Sequence, residues 1–406
     1  MGELGRASEY FTKAFRLSEH ASEREKLAIT ADYYSTVTGE QDKAAQTYQE
    51  AIQAYPREYR LHIDLGVVYS FQGQHEKAKE AYIQSLRLAP DNAGASSNLV
   101  NSLLALQRFD EARQTLQQAA SRKVDVFLLH NALYALSFLG ADFPAMEEQR
   151  QWFTGKPEEN FGFSLASDTE AYSGHLRKAR ELTKQSVNSA IRADSNETGA
   201  IWQEIAAQRE AAFGNAMNAK QAATDGLKLA PTSPGAAAEA ALAFAMAGDT
   251  PRAESLEQDL NKRFPLDTQI QSLWLPAIQA QLALNRNNPA LALDVLKSAS
   301  LIELGVVPFV ANLSCLYPAY VRGEAFLASG QGRSAAAEFQ KILDHSGIVW
   351  NCWTGALARL GVARANALQS RTSQGDIASA RVRSLAAYQD FLTLWKDASP
   401  ERELPQ

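Results

Sequence analysis

The stretch Tyr59–Pro90 reads YRLHIDLGVVYSFQGQHEKAKEAYIQSLRLAP and predicts two short helices joined by a turn. Apolar residues recur at helical spacing before Gly73 and again after it, and Gly73 interrupts the pattern. Pro90 ends the second helix, because proline cannot donate the backbone hydrogen bond that a helix interior needs. Neither helix can bury its apolar face alone, so we expect the unit to stack on copies of itself.

Copies of this unit recur every 34 residues. When Tyr59 is placed at position 1, Gly66 is at position 8, Tyr82 at 24 and Pro90 at 32. The same three positions hold Asp32, Tyr48 and Pro56 one unit earlier and Val100, Leu116 and Val124 one unit later, and Pro231 and Pro265 mark a second in-phase pair. Small residues at positions 8 and 20, beside large ones at 7, 11 and 24, are what close packing of adjacent helix pairs requires.

The pattern resembles the tetratricopeptide repeat family over almost the whole chain. The resemblance implies an all-α fold, a right-handed superhelical α-solenoid of tandem helix-turn-helix units, and we count ten helix pairs. The predicted division is residues 1–20 as the second helix of an incomplete repeat, 21–126 as regular repeats, 127–199 as degenerate repeats, 200–267 as regular repeats, 268–398 as irregular C-terminal repeats with insertions, and 399–406 as a tail. The insertions are Ser300–Leu316 and Ser370–Asp376, and Pro276 falls in the middle of a predicted first helix.

A closer resemblance concerns five stretches spread along the chain. They are Ser22–Tyr34, Asp168–Thr183, Leu316–Ala328, Ala335–Val349 and Ala386–Ala398, which look like the C-terminal repeat region attached to serine/threonine kinases and winged-helix regulators of acidobacteria. The match implies that a kinase or DNA-binding module precedes the repeats. Gly2–Ser18 matches only the second helix of a unit, so we expect a fragment or a shortened protein; a cap is the alternative.

Composition limits the remaining classes of function. A net charge of −6 without a basic block disfavours nucleic acid as a partner. The sequence has no apolar run of about 18 residues and no signal peptide, so we expect no membrane insertion and favour a cytoplasmic location. The periplasmic side of a membrane-anchored parent protein is the alternative. For Cys315 and Cys352, two free and partly buried thiols are the favoured interpretation, and one disulfide is the alternative.

Catalytic motifs are missing from the sequence. It has no glycine-rich phosphate loop, no His-Arg-Asp or Asp-Phe-Gly of a kinase, and no Gly-x-Ser-x-Gly. The six histidines include no pair at i, i+4 that could hold zinc. We therefore expect no enzyme activity, no cofactor and no metal.

The first helices of such units line a concave groove in which proteins or peptides bind, and frame positions 2, 5, 9 and 12 face it. The predicted groove residues are Lys26, Ile29, Tyr33, Arg60, Ile63, Val67, Ser97 and Asn101. Lys26 and Arg60 are candidate anchors for an acidic partner. The lysine and asparagine clamp with which some members of the family grip a chaperone's C-terminal carboxylate is not expected, because only Asn101 matches it.

Trp350 and Trp353 form a second candidate contact surface, provided that they are exposed. Filling the gap left by the inserted turn is the favoured role for them, and the contact surface is the alternative. Taken together, the sequence favours a non-catalytic interaction scaffold, the docking or sensor region of a bacterial signalling protein. The alternative is a domain that senses a ligand or peptide and regulates an attached kinase or DNA-binding module. A hidden enzyme is the third and weakest hypothesis.

Overall fold

The computed structural model describes residues 4–308, 311–372 and 377–398, and within these ranges the chain forms 22 α-helices and no β-strand. The helices are α1 (Leu4–Leu17), α2 (Glu23–Tyr33), α3 (Gln41–Ala54), α4 (Tyr59–Phe71), α5 (His75–Leu88), α6 (Ala93–Ala105), α7 (Phe109–Ser121), α8 (Phe127–Leu139), α9 (Phe143–Phe153), α10 (Glu159–Tyr172), α11 (Leu176–Arg192), α12 (Asn196–Ala212), α13 (Ala216–Leu229), α14 (Pro234–Met246), α15 (Thr250–Arg263), α16 (Leu275–Asn285), α17 (Pro289–Val295), α18 (Tyr317–Ala328), α19 (Gly332–Asp344), α20 (Ser346–Val349), α21 (Trp353–Thr372) and α22 (Ile377–Leu394). None of these helices is both long and apolar enough to cross a membrane. The predicted all-α class is confirmed.

Most of the helices form ten antiparallel pairs, from α2–α3 to α18–α19 and then α21–α22, with α1 before them and the short α20 between the last two pairs. Each first helix packs against its own second helix and against the next unit, as in a solenoid. The predicted tail 399–406, residues 373–376 of the predicted turn insertion and Met1–Glu3 lie outside the described residues.

The contact that sets the spacing inside a unit is the one between Gly66 and Tyr82. A Cβ atom at position 66 would lie 2.5 Å from the Tyr82 ring, so only glycine allows α4 and α5 to approach this closely. Tyr82 is 1% exposed, and its hydroxyl is hydrogen-bonded to the Ser70 hydroxyl at 3.2 Å. In the preceding unit Asp32 takes the place of Gly66, and its Oδ1 accepts a hydrogen bond of 2.5 Å from Tyr48.

The units depart from the regular pattern where the sequence is irregular. A π-helical turn, Ile270–Trp274, runs without a break into α16, which begins at Leu275. Pro276 therefore lies inside a continuous helical stretch from residue 268 to residue 285, as predicted. The π-helical turn interrupts the regular hydrogen-bond ladder at the point where proline has no N–H to donate. The predicted insertion Ser300–Leu316 contains a short 3₁₀ turn, Ala299–Leu301, at its start and no α-helix among its described residues.

The array curves so strongly that its first units contact its later ones. Thr268, in the turn after α15, donates its backbone N–H to the Gly39 carbonyl at 3.0 Å, and its hydroxyl accepts from the Gln41 N–H at 3.2 Å. Arg6 of α1 forms an ion pair of 3.5 Å with Asp194, which follows α11. The first helices therefore surround an interior.

The C-terminal third turns back onto the middle of the array. Helix α21 packs against α18 and α19 and also against α10. Trp395, which follows α22, donates its indole N–H to the Tyr172 carbonyl at 2.8 Å, and its ring meets that of Phe213 edge-on at 5.1 Å. These contacts join residues that are more than 180 positions apart in the sequence.

We expect Gly66→Ala to destabilise the fold by about 1–3 kcal/mol, because the added methyl group overlaps the buried Tyr82 ring. Gly94→Ala makes the same change in α6 at an exposed site, where the nearest atom is 3.4 Å away. That control is expected to be neutral or to gain about 0.5–1 kcal/mol from lower backbone entropy in the unfolded chain. Urea denaturation compares the two variants, and equal unfolding midpoints would contradict the packing argument.

Candidate functional site

The predicted groove residues of the first two units differ in exposure. Lys26 and Arg60 are exposed, and Ile29, Tyr33, Ile63 and Val67 are half-buried. Tyr33 stacks on Phe15 of α1 at a ring distance of 4.1 Å, so α1 covers part of this surface.

Further along the array, the concave surface is covered by two segments of the chain itself. We call residues 302–308 with 311–316 the first inner loop and residues 345–352, which include α20, the second inner loop. Helix α20 packs against α6 and α8, and Ser97 of α6 is fully buried while Asn101 is half-buried. The prediction that these two residues face a partner is therefore corrected, because the chain fills the groove at this point.

The first inner loop is held by hydrogen bonds to the ends of helices. Val306 donates its backbone N–H to the Ser70 carbonyl at 2.9 Å, and the His75 ring donates to the Leu304 carbonyl at 2.7 Å. Burial lowers the pKa of His75, which keeps the ring neutral. Gly305 lies so close to α4 that a Cβ atom there would overlap the Phe71 carbonyl.

The second inner loop crosses the next three units. Gly347 donates its N–H to the Gln107 side chain at 3.2 Å. Asn351 donates its side-chain N–H₂ to the Leu165 carbonyl at 2.8 Å and to the Thr169 hydroxyl at 2.9 Å, both on α10. With Gly174 aligned on Gly73, Leu165 and Thr169 occupy positions 6 and 10 of their unit. The second inner loop is therefore bonded to the first helix of this unit.

Trp350 and Trp353 do not form a contact surface. They are 2% and 3% exposed. Trp350 donates its indole N–H to the Gly347 carbonyl at 2.8 Å, and Trp353 meets Tyr320 edge-on at 5.0 Å. Both rings fill space between the second inner loop and the C-terminal helices, which agrees with the favoured role, and the alternative of a second exposed surface is wrong.

A disulfide between Cys315 and Cys352 ties the two inner loops together, with a Cα–Cα distance of 5.7 Å. Both residues are 2% exposed, and Thr354 donates its hydroxyl to the Cys315 carbonyl at 2.7 Å. The favoured prediction of free thiols is therefore wrong. Sequence spacing could not reveal the pairing, because a repeat frame carries no information on how an insertion folds back.

Reduction of the disulfide is expected to lower the free energy of unfolding by about 4 kcal/mol, the chain-entropy estimate for a loop closed over 37 residues. Urea denaturation with and without reductant measures this, together with alkylation of the native protein. The double variant Cys315→Ser/Cys352→Ser serves as the control and should not respond to reductant. Alkylation of both cysteines without prior reduction would show that the bond does not form.

A cavity of about 610 Å³ remains between the first two units, the first inner loop and the units around α14. Its apolar wall includes Phe11, Val67, Phe71, Ile270 and Trp274. A volume of this size lies within the range of pockets that hold small ligands. Only Val67 among the predicted groove residues reaches it.

Carboxyl groups are concentrated in this cavity. Burial raises the pKa of Asp32, that of Asp64 to about 7, that of Asp267 to about 6 and that of Glu239 to about 8. The neighbouring charge of Asp32 adds to the effect on Asp64, and the hydrogen bond from Tyr48 opposes it at Asp32. Sequence reasoning missed these residues, although an acid at position 8, where the frame expects a small residue, was a signal for Asp32.

A buried polar network lies behind Glu239. The Oε2 atom of Glu239 accepts hydrogen bonds from the Gln208 side chain and, at 3.3 Å, from the Tyr317 hydroxyl. Next to Gln208 on α12, Arg209 forms an ion pair of 2.9 Å with Asp168 of α10. The network joins four units through α10, α12, α14 and α18, and it fixes the orientation of the Glu239 carboxyl group. Among the described residues no group of three or more His, Cys, Asp or Glu is arranged to hold a metal ion.

Comparison with known proteins supports the repeat class. The family model described as tetratricopeptide repeat matches residues 72–136. The photosystem I assembly protein Ycf3 of Rippkaea orientalis is 26% identical over 105 residues, which cover 22% of this chain and 61% of that protein. The chain thus spans less than two thirds of this curated relative's length.

Solved structures with a similar repeat were also found. A tetratricopeptide repeat protein from Parabacteroides merdae is 14% identical, with 84% of this chain and 98% of that chain covered and a TM-score of 0.28. Yeast Tom70 is 12% identical, with 95% and 96% covered and a TM-score of 0.33. The type IV pilus biogenesis factor PilW is 14% identical, with 62% and 99% covered and a TM-score of 0.31.

Residues 72–136 are similar to the tetratricopeptide repeat, and stacked helix pairs continue on either side of this segment. Each added pair extends a continuous surface, and surfaces of this kind are the ones on which helical-repeat arrays bind partners.

We expect the free energy of unfolding to fall as the pH rises from about 4 to about 8. A carboxyl group whose pKa is raised by folding binds more protons in the folded state than in the unfolded chain, so the folded state loses stability across that interval. Asp64→Asn removes one such group, with a folded-state pKa of about 7, and should flatten the dependence.

The matched control is Asp390→Asn, at an exposed site on α22, and it should leave the dependence unchanged. Chemical denaturation at a series of pH values measures the effect. If the free energy of unfolding rose over this pH interval, or if both variants behaved alike, the buried carboxyl groups would not control the pH dependence of stability.

Proposed function

We propose that the chain is a non-catalytic interaction scaffold that binds a protein or peptide partner. The observation that supports this proposal is a surface on the first two units, formed by Lys26, Ile29, Arg60 and Ile63, which we call the docking strip. There the exposed cations Lys26 and Arg60 stand beside the half-buried side chains of Ile29 and Ile63. Charged anchors around apolar contacts are what an acidic peptide needs on a helical-repeat surface.

We further propose that this scaffold is the docking or sensor region of a bacterial signalling protein. The support is the resemblance of five stretches along the chain to repeat regions attached to acidobacterial kinases and winged-helix regulators. Partner binding at the first two units would then bring a target to the attached module.

The disulfide is informative about the cellular compartment in which the chain is located. Disulfides persist in oxidising environments and are rare in the cytosol, where reductants keep thiols reduced. The Cys315–Cys352 bond therefore favours the periplasmic side of a membrane-anchored parent protein over the cytoplasm. Alkylation of intact cells before lysis, followed by mass measurement, tests this. Finding both thiols alkylated would favour the cytoplasm.

Site-specific photo-crosslinking tests the scaffold. A photoreactive residue at Ile63 is expected to capture one partner, whereas the same residue at Gln114, exposed on the second helix α7, should capture none. The charge reversal Lys26→Glu/Arg60→Glu should abolish capture, because it repels an acidic partner.

The matched control for the charge reversal is Arg87→Glu/Arg113→Glu, which changes two exposed cations on second helices. It should preserve capture. Capture that survives Lys26→Glu/Arg60→Glu, or that is equally strong from Gln114, would exclude this strip as the docking surface.

A second candidate function is ligand sensing. The observation that favours it is the cavity of about 610 Å³, which lies inside the array and apart from the exposed cations. A ligand there would touch the first units, the first inner loop and the units around α14 at once. Its binding would therefore stabilise their mutual arrangement, which an attached module could detect.

A further inference from the structure

The cavity between the first and the later units has an apolar wall and a set of carboxyl groups, which suits a molecule with an apolar part and a polar part. Phe71, Ile270 and Trp274 give it an apolar wall. The half-buried carboxyl groups of Asp32, Asp64 and Asp267 and the buried one of Glu239 also line it. An apolar wall with a few convergent polar groups is the usual composition of a small-molecule site.

Among the described residues that line the cavity, no lysine or arginine is shown bonded to these carboxyl groups. Arg263 is the one cation in that lining, and its guanidinium is already bonded to other groups. Its guanidinium donates to Asp259 at 2.9 Å and to the Thr232 carbonyl at 3.1 Å. Carboxyl groups taken out of water without a counter-charge are costly, so a positive ligand would be strongly favoured.

The carboxyl group of Glu239 is independent evidence that a hydrogen-bond donor from outside the chain binds here. It is 1% exposed, and its Oε1 atom has no hydrogen-bond partner among the described residues. Its other oxygen is held by Gln208 and Tyr317, so the carboxyl group cannot turn away to satisfy Oε1 elsewhere. Buried polar atoms in folded proteins are normally bonded, and an exception calls for a ligand or a water molecule.

We infer that this cavity binds an organic cation, an ammonium or guanidinium group on an apolar body, with Glu239 and Asp64 as acceptors and Trp274 against the body. The inference rests on ligand sensing as the function of the array. It specifies the chemical class of the ligand, and it does not depend on the docking strip around Lys26 and Arg60. The same chemistry is offered by a free amine and by the basic side chain of a peptide.

Binding of a cation should release protons. Burial raises the pKa values of Asp267, Asp64 and Glu239 to about 6, 7 and 8, and a cation favours their ionised forms. The other titratable or charged groups that face them are Glu9, Asp32, Tyr48, Arg263, and, beyond the wall, Glu58, Arg60, Asp168, Glu204 and Tyr317. Affinity for a cation should therefore increase from about pH 6 to about pH 8.

Isothermal titration calorimetry on the full chain tests the inference with three probes that share one apolar body. They are phenethylamine, 2-phenylethanol and 3-phenylpropionate, which are cationic, neutral and anionic. We expect phenethylamine to bind with a dissociation constant of about 1 mM or below and the other two not to bind. Binding of the alcohol or the acid as strongly as the amine, or no binding of the amine, overturns the inference.

Variants locate the bound cation. Asp64→Asn and Glu239→Gln should each weaken amine binding by about 10- to 100-fold, the effect of losing a charge-assisted hydrogen bond. The controls Asp390→Asn and Glu148→Gln change exposed carboxyl groups and should leave binding intact. Thermal unfolding shows that each variant is folded. Unchanged affinity in both folded cavity variants would exclude this cavity as the binding site.

A short peptide with one central lysine distinguishes the two sources of the cation. Stronger binding of phenethylamine supports a free small molecule, and stronger binding of the peptide supports a basic side chain of a partner. Failure of the docking strip would appear separately, as capture from Ile63 that persists in Lys26→Glu/Arg60→Glu, whereas the amine titrations use the chain with Lys26 and Arg60 unchanged.

Discussion

The structure depends on how the concave surface of the array is covered. A solenoid that comes round to meet itself encloses an interior, and backbone groups there must find partners inside the protein. The two inner loops supply them, through the bonds from Val306 to Ser70 and from Asn351 to Leu165. Because the first helices are held from the inside as well as by their neighbours, the C-terminal third stabilises units that precede it by more than 180 residues.

The 34-residue frame predicted the local part of this fold well. Gly66, Tyr82 and Pro90 carry that information directly, since each acts within one unit or between neighbours. The turn between paired helices needs a residue in the left-handed region, and the frame placed Gly73 there. Gln107 and Ala141 adopt the same conformation one and two units later, with φ of 59° and 52°, and nothing in their side chains predicts this. Position within the stack imposes it.

The candidate site could be predicted only in part, for a physical reason. Frame positions predict which side chains point toward the groove, and for the exposed Lys26 and Arg60 this stays a prediction. They do not show which other segments of the chain enter the groove, because inserted segments do not follow the 34-residue period. Ser97 was thus assigned to a surface that the inner loops bury, and the disulfide that joins these loops has no counterpart in the repeat.

The buried carboxyl groups lower the stability of the fold. Glu239 and Asp64 line an interior where each costs stability once ionised, and Asp32 takes a place where glycine or alanine would pack better. Stability alone would favour apolar or amide side chains at these positions. Sites that bind a ligand commonly sacrifice stability in this way, because groups that are poorly satisfied in the empty protein are the ones that gain most from a partner. The same network that holds Glu239 also links α10, α12, α14 and α18, so occupation of the cavity would act on four units together.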